Sequence, residues 1–177
     1  MTIAMRSLWI IAAATAPLCA SSYMLTRNAL ADSPPQVKLD TSRATPRNVE
    51  DLTARSILRD YTAAWSNLAQ AMESNNLGPI EASFVGTARA QLVNAVREQR
   101  KADLSSQYSG QSHNVQAVFY PPEGDVLQLH DTADYEFQLR DGERVVHQEH
   151  VTIHYVVLMT PGADRWSVRQ LQAVPEF

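Results

Sequence analysis

The spacing of hydrophobic positions along this chain changes once, near residue 110. From Ala54 to Met72 the apolar side chains recur at steps of three and four, the spacing of one buried face of an amphipathic helix. Thr45-Pro46 and the run Asn75–Pro79 predict its ends, so the helix is expected to be about 28 residues long. The predicted buried stripe comprises Ala54, Leu58, Tyr61, Trp65, Leu68 and Met72, widened by Ile57, Ala64 and Ala71.

A second helical stretch is predicted from Pro79 to about Leu104, where Ile80, Phe84 and Ala88 keep the helical spacing. Gly86 is expected to divide this stretch into a short helix and a longer one, because glycine disfavours a helix interior.

Beyond Gly110 the apolar residues alternate with polar ones, which is the period of a half-buried β-strand. The clearest example is 125–140, where odd positions are mostly apolar and even positions mostly polar. The four predicted strands are 113–120, 125–140, 145–160 and 165–174. The predicted fold class is therefore α+β, with a long N-terminal helix and a second helical segment packed on a four-stranded, strongly twisted antiparallel sheet.

The turn Asp141-Gly142 sets the register between the two long strands. A two-residue loop at 141–142 would place the buried side of one strand against the polar side of the other, because a one-residue slip reverses both faces. We therefore predict a three-residue loop with a bulge at Gly142. The expected opposed pairs are Ala133 with Val151, Asp131 with Ile153, and Leu129 with Tyr155.

The N-terminal 31 residues resemble an export leader. Residues 8–26 carry no charged side chain, Arg6 precedes them, and Ala29-Leu30-Ala31 offers a small-residue cleavage site. An uncleaved membrane anchor is the alternative, although Pro17 makes this a poor span. Either interpretation predicts an extracytoplasmic protein, periplasmic or secreted, with the membrane contacted only through an uncleaved leader.

Three domains of the chain follow from this composition: 1–31 as signal peptide or anchor, 32–47 as a proline-rich solvated linker, and 48–177 as the folded domain. The single cysteine, Cys19, falls in the leader, which leaves neither a disulfide framework nor a cysteine nucleophile in the folded part. The net charge of −4 argues against a nucleic-acid partner.

The order of elements and several local motifs resemble the nuclear transport factor 2-like superfamily over about residues 48–174. The motifs are Trp65 in the first helix, Tyr155-Val156-Val157-Leu158 in the long strand, and Asp164-Arg165-Trp166-Ser167-Val168 at the start of the last strand. The closest likeness is to the branch that includes the mitochondrial translocase motor-subunit domain and the soluble domains of bacterial secretion scaffolds. An exported bacterial branch of unknown function also looks similar. This resemblance implies a cone-shaped α+β fold and implies no particular activity.

Asp131 is the strongest candidate for chemistry, because it is the one acid on the apolar face of its predicted strand apart from the strand's first residue. The resemblance implies that helices and sheet can enclose a pocket, in which Asp131 would be a weak candidate acid or base and a ligand contact. Tyr61, Tyr135 and Tyr155 are the other expected ligand-binding residues, as hydrogen-bond donors. A passive pocket and a purely structural carboxylate remain open as alternatives.

No cofactor or metal is expected, since the chain lacks a Ser-His-Asp pattern, a glycine-rich phosphate loop and a His-Glu-x-x-His motif. His150 and His154 lie four residues apart, roughly 13 Å on a strand, which is too far for one ion. In the expected register His130 opposes His154 and Asp134 opposes His150, all on the polar face.

Three functions stay open from the sequence. The first is an exported, non-catalytic module that holds a small ligand or protein partner in a cavity or on a sheet face. The second is a small cofactor-free lyase, isomerase or hydrolase that uses Asp131, and the third is an anchored scaffold subunit. A homodimer through the outer sheet face is a further expectation, unless a second bulge buries the side chains that would form it. Those side chains are Val118, Tyr120, Val126, Val156 and Leu158.

Overall fold

The structure, a computed structural model, describes residues 33–177. The predicted leader, its cleavage site and Cys19 lie outside the described residues. Within residues 33–177, no helix has the length and apolar character needed to cross a lipid bilayer.

Three helices follow one another in the first half of the described chain. α1 spans Asp51–Ser74, α2 spans Gly78–Ser83 and α3 spans Gly86–Lys101. The division at Gly86 is as predicted: its φ is +55°, and a Cβ there would lie 3.2 Å from the carbonyl oxygen of Arg169. The buried face of α1 comprises Ile57, Tyr61, Ala64, Trp65, Leu68 and Ala71, whereas Ala54, Leu58 and Met72 are half-buried at its margins.

Among residues 33–177, six strands form one mixed sheet, so the predicted α+β class is correct and the predicted four-stranded sheet is incomplete. The strands are β1 (Gln36–Asp40), β2 (Thr45–Pro46), β3 (Leu104–Tyr120), β4 (Leu127–Asp141), β5 (Arg144–Pro161) and β6 (Trp166–Val174). Their order is β1-β3-β4-β5-β6, with β2 also paired to β3. β3 to β6 form the expected antiparallel part, whereas β1 and β2 run parallel to β3. α1 lies on the inner face of this sheet and closes the core.

The segment 32–47 is not the solvated linker that its prolines suggested. Residues 36–40 pair with 112–116 of β3, and Val37 and Leu39 pack against the core. Between the two short strands, Ala44 is also buried. The prolines stand at the ends of these strands, where no ladder hydrogen bond is required of them, so they do not prevent pairing.

The hairpin of β4 and β5 has the predicted faces but a different register. The loop is Gly142-Glu143, closed by the pair Asp141 and Arg144, and the extra residue on β5 is Val146 rather than Gly142. The register therefore moves by two positions, which preserves the buried and exposed sides. The observed pairs are Ala133 with Ile153, Asp131 with Tyr155, and Leu129 with Val157.

β3 differs from the prediction at both ends. It begins at Leu104, in the region expected to close the second helical stretch, and its register shifts near Gly110, whose φ is +63°. A second shift between Ala117 and Phe119 turns Tyr120 into the core, where it is 3% exposed. Tyr120 therefore does not belong to the outer face on which it was expected. Val118, Val126, Val156 and Leu158 are half-buried.

Candidate functional site

Three side chains from three elements meet inside the core. Asp131 of β4 and His113 of β3 occupy inward-facing strand positions, and Tyr61 lies on the buried stripe of α1. The Tyr61 hydroxyl donates to Oδ2 of Asp131 at 2.6 Å, and Nδ1 of His113 lies 2.8 Å from the same oxygen. We call Tyr61, His113 and Asp131 the interior cluster.

The interior cluster is sealed from solvent. His113 and Asp131 are 0% exposed and Tyr61 is 1% exposed. Two of its polar atoms, Nε2 of His113 and Oδ1 of Asp131, have no hydrogen-bond partner among the described residues. Burial, followed by the negative charge of Asp131, raises the pKa of Tyr61 well above its usual value, so Tyr61 remains a donor.

Aromatic rings surround the interior cluster. The ring of Trp65 lies 4.3 Å from that of His113 and 5.5 Å from that of Tyr155, measured between centroids. The Tyr135 and Tyr155 hydroxyls are 3.5 Å apart, and burial raises the pKa of both tyrosines. Trp65 of α1 therefore packs on Tyr155 of the sheet.

The four predicted site residues share the inner side of the sheet, but they do not all join the hydrogen-bonded cluster. Tyr61 and Asp131 bond directly, whereas Tyr135 and Tyr155 form a separate neighbouring pair. The central partner that sequence reasoning missed is His113. The alternation from Gln111 to Ala117 indicates that His113 faces the buried side of its strand. The residue that it meets depends on the register between β3 and β4, which the sequence does not show.

This geometry suits a structural carboxylate. One oxygen of Asp131 receives two donors, which supports a buried acid at the centre of a core. Acid–base chemistry would require a reactant to reach a side chain without exposed surface. The hydrogen bonds of the interior cluster therefore account for how α1 is held against the sheet. They account less directly for a reaction.

A groove of about 720 Å³ opens on the outer face of the sheet, opposite the helices. We call it the outer groove. It is lined by Lys38, Leu39, Asp40, Arg43, Asn114, Val115, Gln116, Val118, His130, Thr132 and Phe177. The Phe177 ring stacks on His130 with 4.3 Å between centroids and 8° between planes, and its edge meets His154 at 5.0 Å.

The polar wall of the outer groove is held by a chain of hydrogen bonds. Arg43 Nη1 donates to Oε1 of Gln116 at 3.0 Å, and Nε2 of Gln116 donates to Asp40 at 3.3 Å. The backbone N–H of Ser42 is the main cause that lowers the pKa of Asp40, which keeps this carboxylate ionised. Lys38 and Arg43 bring two cations to a groove that contains one acid.

The remaining histidines do not form a metal centre. His150 lies opposite Glu136 rather than Asp134, and its two ring nitrogens are 3.1 Å from Glu136 and 3.2 Å from Asp134. His154 lies opposite Thr132 rather than His130. Within residues 33–177, no three His, Cys, Asp or Glu side chains are arranged to hold a metal ion.

Two histidines of the outer face, His130 and His150, are expected to titrate in a defined order. The hydrogen bond that His150 donates to Glu136, followed by the charge of Asp134, raises the pKa of His150, while burial followed by the charge of Arg43 lowers the pKa of His130. In an NMR titration, His150 should therefore keep its proton to a higher pH than His130. Glu136→Gln should lower the pKa of His150 and leave that of His130 unchanged. A lower pKa for His150 than for His130 in the wild-type protein would contradict this electrostatic arrangement.

The comparisons with known proteins give a likeness of fold. No protein-family model matches the chain, and no curated protein matches it in sequence. The intermembrane-space region of the chloroplast protein ARC6 superposes with a TM-score of 0.58 at 12% identity, covering 68% of this chain and 95% of that one. The Kfla4162 protein from Kribbella flavida gives a TM-score of 0.47 at 12% identity, covering 68% and 91% of the two chains. At this identity the ARC6 likeness shows the α+β fold alone.

Proposed function

We propose that this protein is an exported, non-catalytic binding module that holds a small ligand or a protein segment in its outer groove. The ligand is expected to present an aromatic ring to His130 and an anionic group to Lys38 or Arg43. The observation that carries this proposal is the ring of Phe177, which lies flat on His130 at the wall of the groove.

Phe177 supports the proposal because it is itself an aromatic group resting on this surface. Its side chain is 54% exposed, so the contact with His130 buries only part of the ring. An incoming aromatic side chain could replace this contact at small cost, whereas the bonded wall of Arg43, Gln116 and Asp40 would keep its shape. The cationic side chains of Lys38 and Arg43 can pair with an anionic group of the ligand.

A cofactor-free lyase, isomerase or hydrolase remains a second candidate. The observation in its favour is His113 beside Asp131, a pairing that can move a proton. Complete burial of both groups counts against it, and the outer groove lies on the other side of the sheet. A binding role therefore requires less rearrangement than catalysis.

Export and family membership belong to the same proposal. Export rests on the leader pattern of residues 1–31. The ARC6 region is described as an intermembrane-space region, but 12% identity extends its likeness to the fold only. We further propose that the domain is nuclear transport factor 2-like, on the motifs around Trp65, Tyr155 and Trp166 and on the packing of α1 against the sheet.

Native mass spectrometry of protein purified from its own host tests the groove. The wild-type protein should retain a ligand or partner that adds mass under native conditions. Val118→Glu places a carboxylate in the outer groove, and retention should fall by roughly tenfold or more because the anionic ligand meets both a smaller volume and a like charge.

Gln91→Glu provides the matched control, since it adds the same charge at an exposed position of α3. The control should retain the bound mass at the wild-type level. Equal retention by both variants would exclude the outer groove as the binding site, and it would leave the edges and the inner face to be examined.

A further inference from the structure

The distal half of β5 is a long strand edge without a neighbour in the described chain. β6 pairs with β5 only from His154 to Pro161, so 144–153 pair with β4 on one side alone. β6 stops at Val174 because Pro175 follows, and proline has no N–H to donate. The free edge is about 33 Å long at roughly 3.3 Å per residue.

Parts of the other edges of the same sheet are covered. A bridge between Phe84 and Val168 covers the outer edge of β6, and Thr87 Oγ1 donates to the carbonyl of Arg169 at 3.0 Å. On the opposite side, β1 and β2 cover two parts of β3. Asn75 Nδ2 donates to the carbonyl of Leu104 at 2.7 Å at the start of β3. The β5 edge over 144–153 has no comparable contact among the described residues.

The exposed β5 edge has only part of the usual protection against pairing, namely the bulge at Val146 and the charges of Arg144 and Glu149. Segment 144–153 contains neither proline nor lysine, the residues that commonly block an edge. Val145 and Val146 are 43% and 44% exposed, which makes this end of the hairpin apolar as well as unpaired. Such an edge is a template for another strand.

We propose that the β5 edge pairs with the same edge of a second copy, so that two sheets join into one antiparallel sheet. Directly opposed residues in an antiparallel pair point to the same face of the sheet. In a symmetric dimer the two-fold axis must therefore lie where one residue opposes its own copy, and not between two successive residues. The candidate centres near the middle of the edge are Gln148, Glu149 and His150.

Charge selects among these three registers. Centring on Glu149 opposes two carboxylates, and centring on His150 opposes two imidazoles. Centring on Gln148 instead opposes His147 to Glu149 of the second copy, twice by symmetry, and brings the two amides of Gln148 together. His147 and Glu149 are each 54% exposed and lie 3.4 Å apart within one chain, so both are available at the edge. The register centred on Gln148 is therefore favoured.

A charge-exchange series measured by sedimentation equilibrium tests this interface. The wild-type protein should form a dimer at micromolar concentration. In this register His147→Glu opposes two carboxylates at each of the two symmetric contacts. Glu149→Lys opposes two cations at the same contacts whenever His147 is protonated. Each single variant should weaken dimerisation by about tenfold. The double variant H147E/E149K restores opposite charges and should recover the wild-type affinity.

Glu123→Lys is the control for Glu149→Lys, because it makes the same change of charge in the exposed loop before β4. It should dimerise as the wild type does. A wild-type protein that remains monomeric at several hundred micromolar would overturn the proposal. So would a dimer that all three edge variants leave intact and that Leu158→Glu dissociates, since that result would assign the interface to the outer sheet face.

Discussion

Asp131→Ala is expected to lower the free energy of unfolding by about 2–6 kcal/mol, because it leaves two buried hydrogen-bonding groups unsatisfied at about 1–3 kcal/mol each. The substitution leaves the Tyr61 hydroxyl and Nδ1 of His113 without their shared acceptor, in a region that solvent does not reach. Asp131→Asn keeps an acceptor oxygen and should cost less, about 1–3 kcal/mol, mainly through its buried amide donors. Urea unfolding of the three proteins measures both differences.

Asp134→Ala gives the matched control for this series. Asp134 lies on the same strand, its side chain is 45% exposed, and it contacts His150 and Thr152 on the outer face. Its loss should cost less than about 1 kcal/mol. If Asp131→Ala were as stable as Asp134→Ala, the interior cluster would not be the structural element described above. That result would favour the alternative in which Asp131 is a catalytic residue.

Trp65→Ala is expected to cost about 3–5 kcal/mol, because truncation of a buried tryptophan loses contacts and leaves a cavity. Trp65 is 3% exposed and contacts His113 and Tyr155 on the sheet as well as Tyr61 on its own helix. Thermal unfolding followed by circular dichroism measures the change.

Leu52→Ala is the control for the tryptophan substitution. Leu52 lies on the same helix and is 75% exposed, so its truncation should change stability by less than about 0.5 kcal/mol. A melting temperature of Trp65→Ala equal to that of Leu52→Ala would contradict the packing of α1 on the sheet.

Local periodicity was enough to predict that the helices and the four antiparallel strands exist, but not that β3 begins at Leu104. The step of three and four residues through Tyr61, Trp65 and Leu68 marks the face of α1 that is buried. The alternation in β4 likewise identified Asp131 as an inward acid. Each of these inferences depends on neighbours within a few residues along the chain, where the pattern of side chains contains the information.

Pairing across the sheet could not be predicted in the same way. β1 is short and proline-flanked, and its place beside β3 depends on contacts with residues more than 70 positions away. The partner of His113 depends on the β3–β4 register, which Gly110 shifts. The shape of the outer groove depends both on the place of β1 and on the β3–β4 register, since β1, β3 and Phe177 form its walls. Long-range register is decided by tertiary packing, which a single sequence does not display.

The most direct test of the binding site is hydrogen exchange on protein purified from its host, compared with the same protein after its ligand has been removed. Ligand removal should speed exchange in β1, in 112–118 of β3 and in 175–177, which surround the outer groove. Exchange in α1 (Asp51–Ser74) should stay unchanged. Faster exchange in α1 with β1 unaffected would place the ligand on the inner side of the sheet and contradict the proposed function.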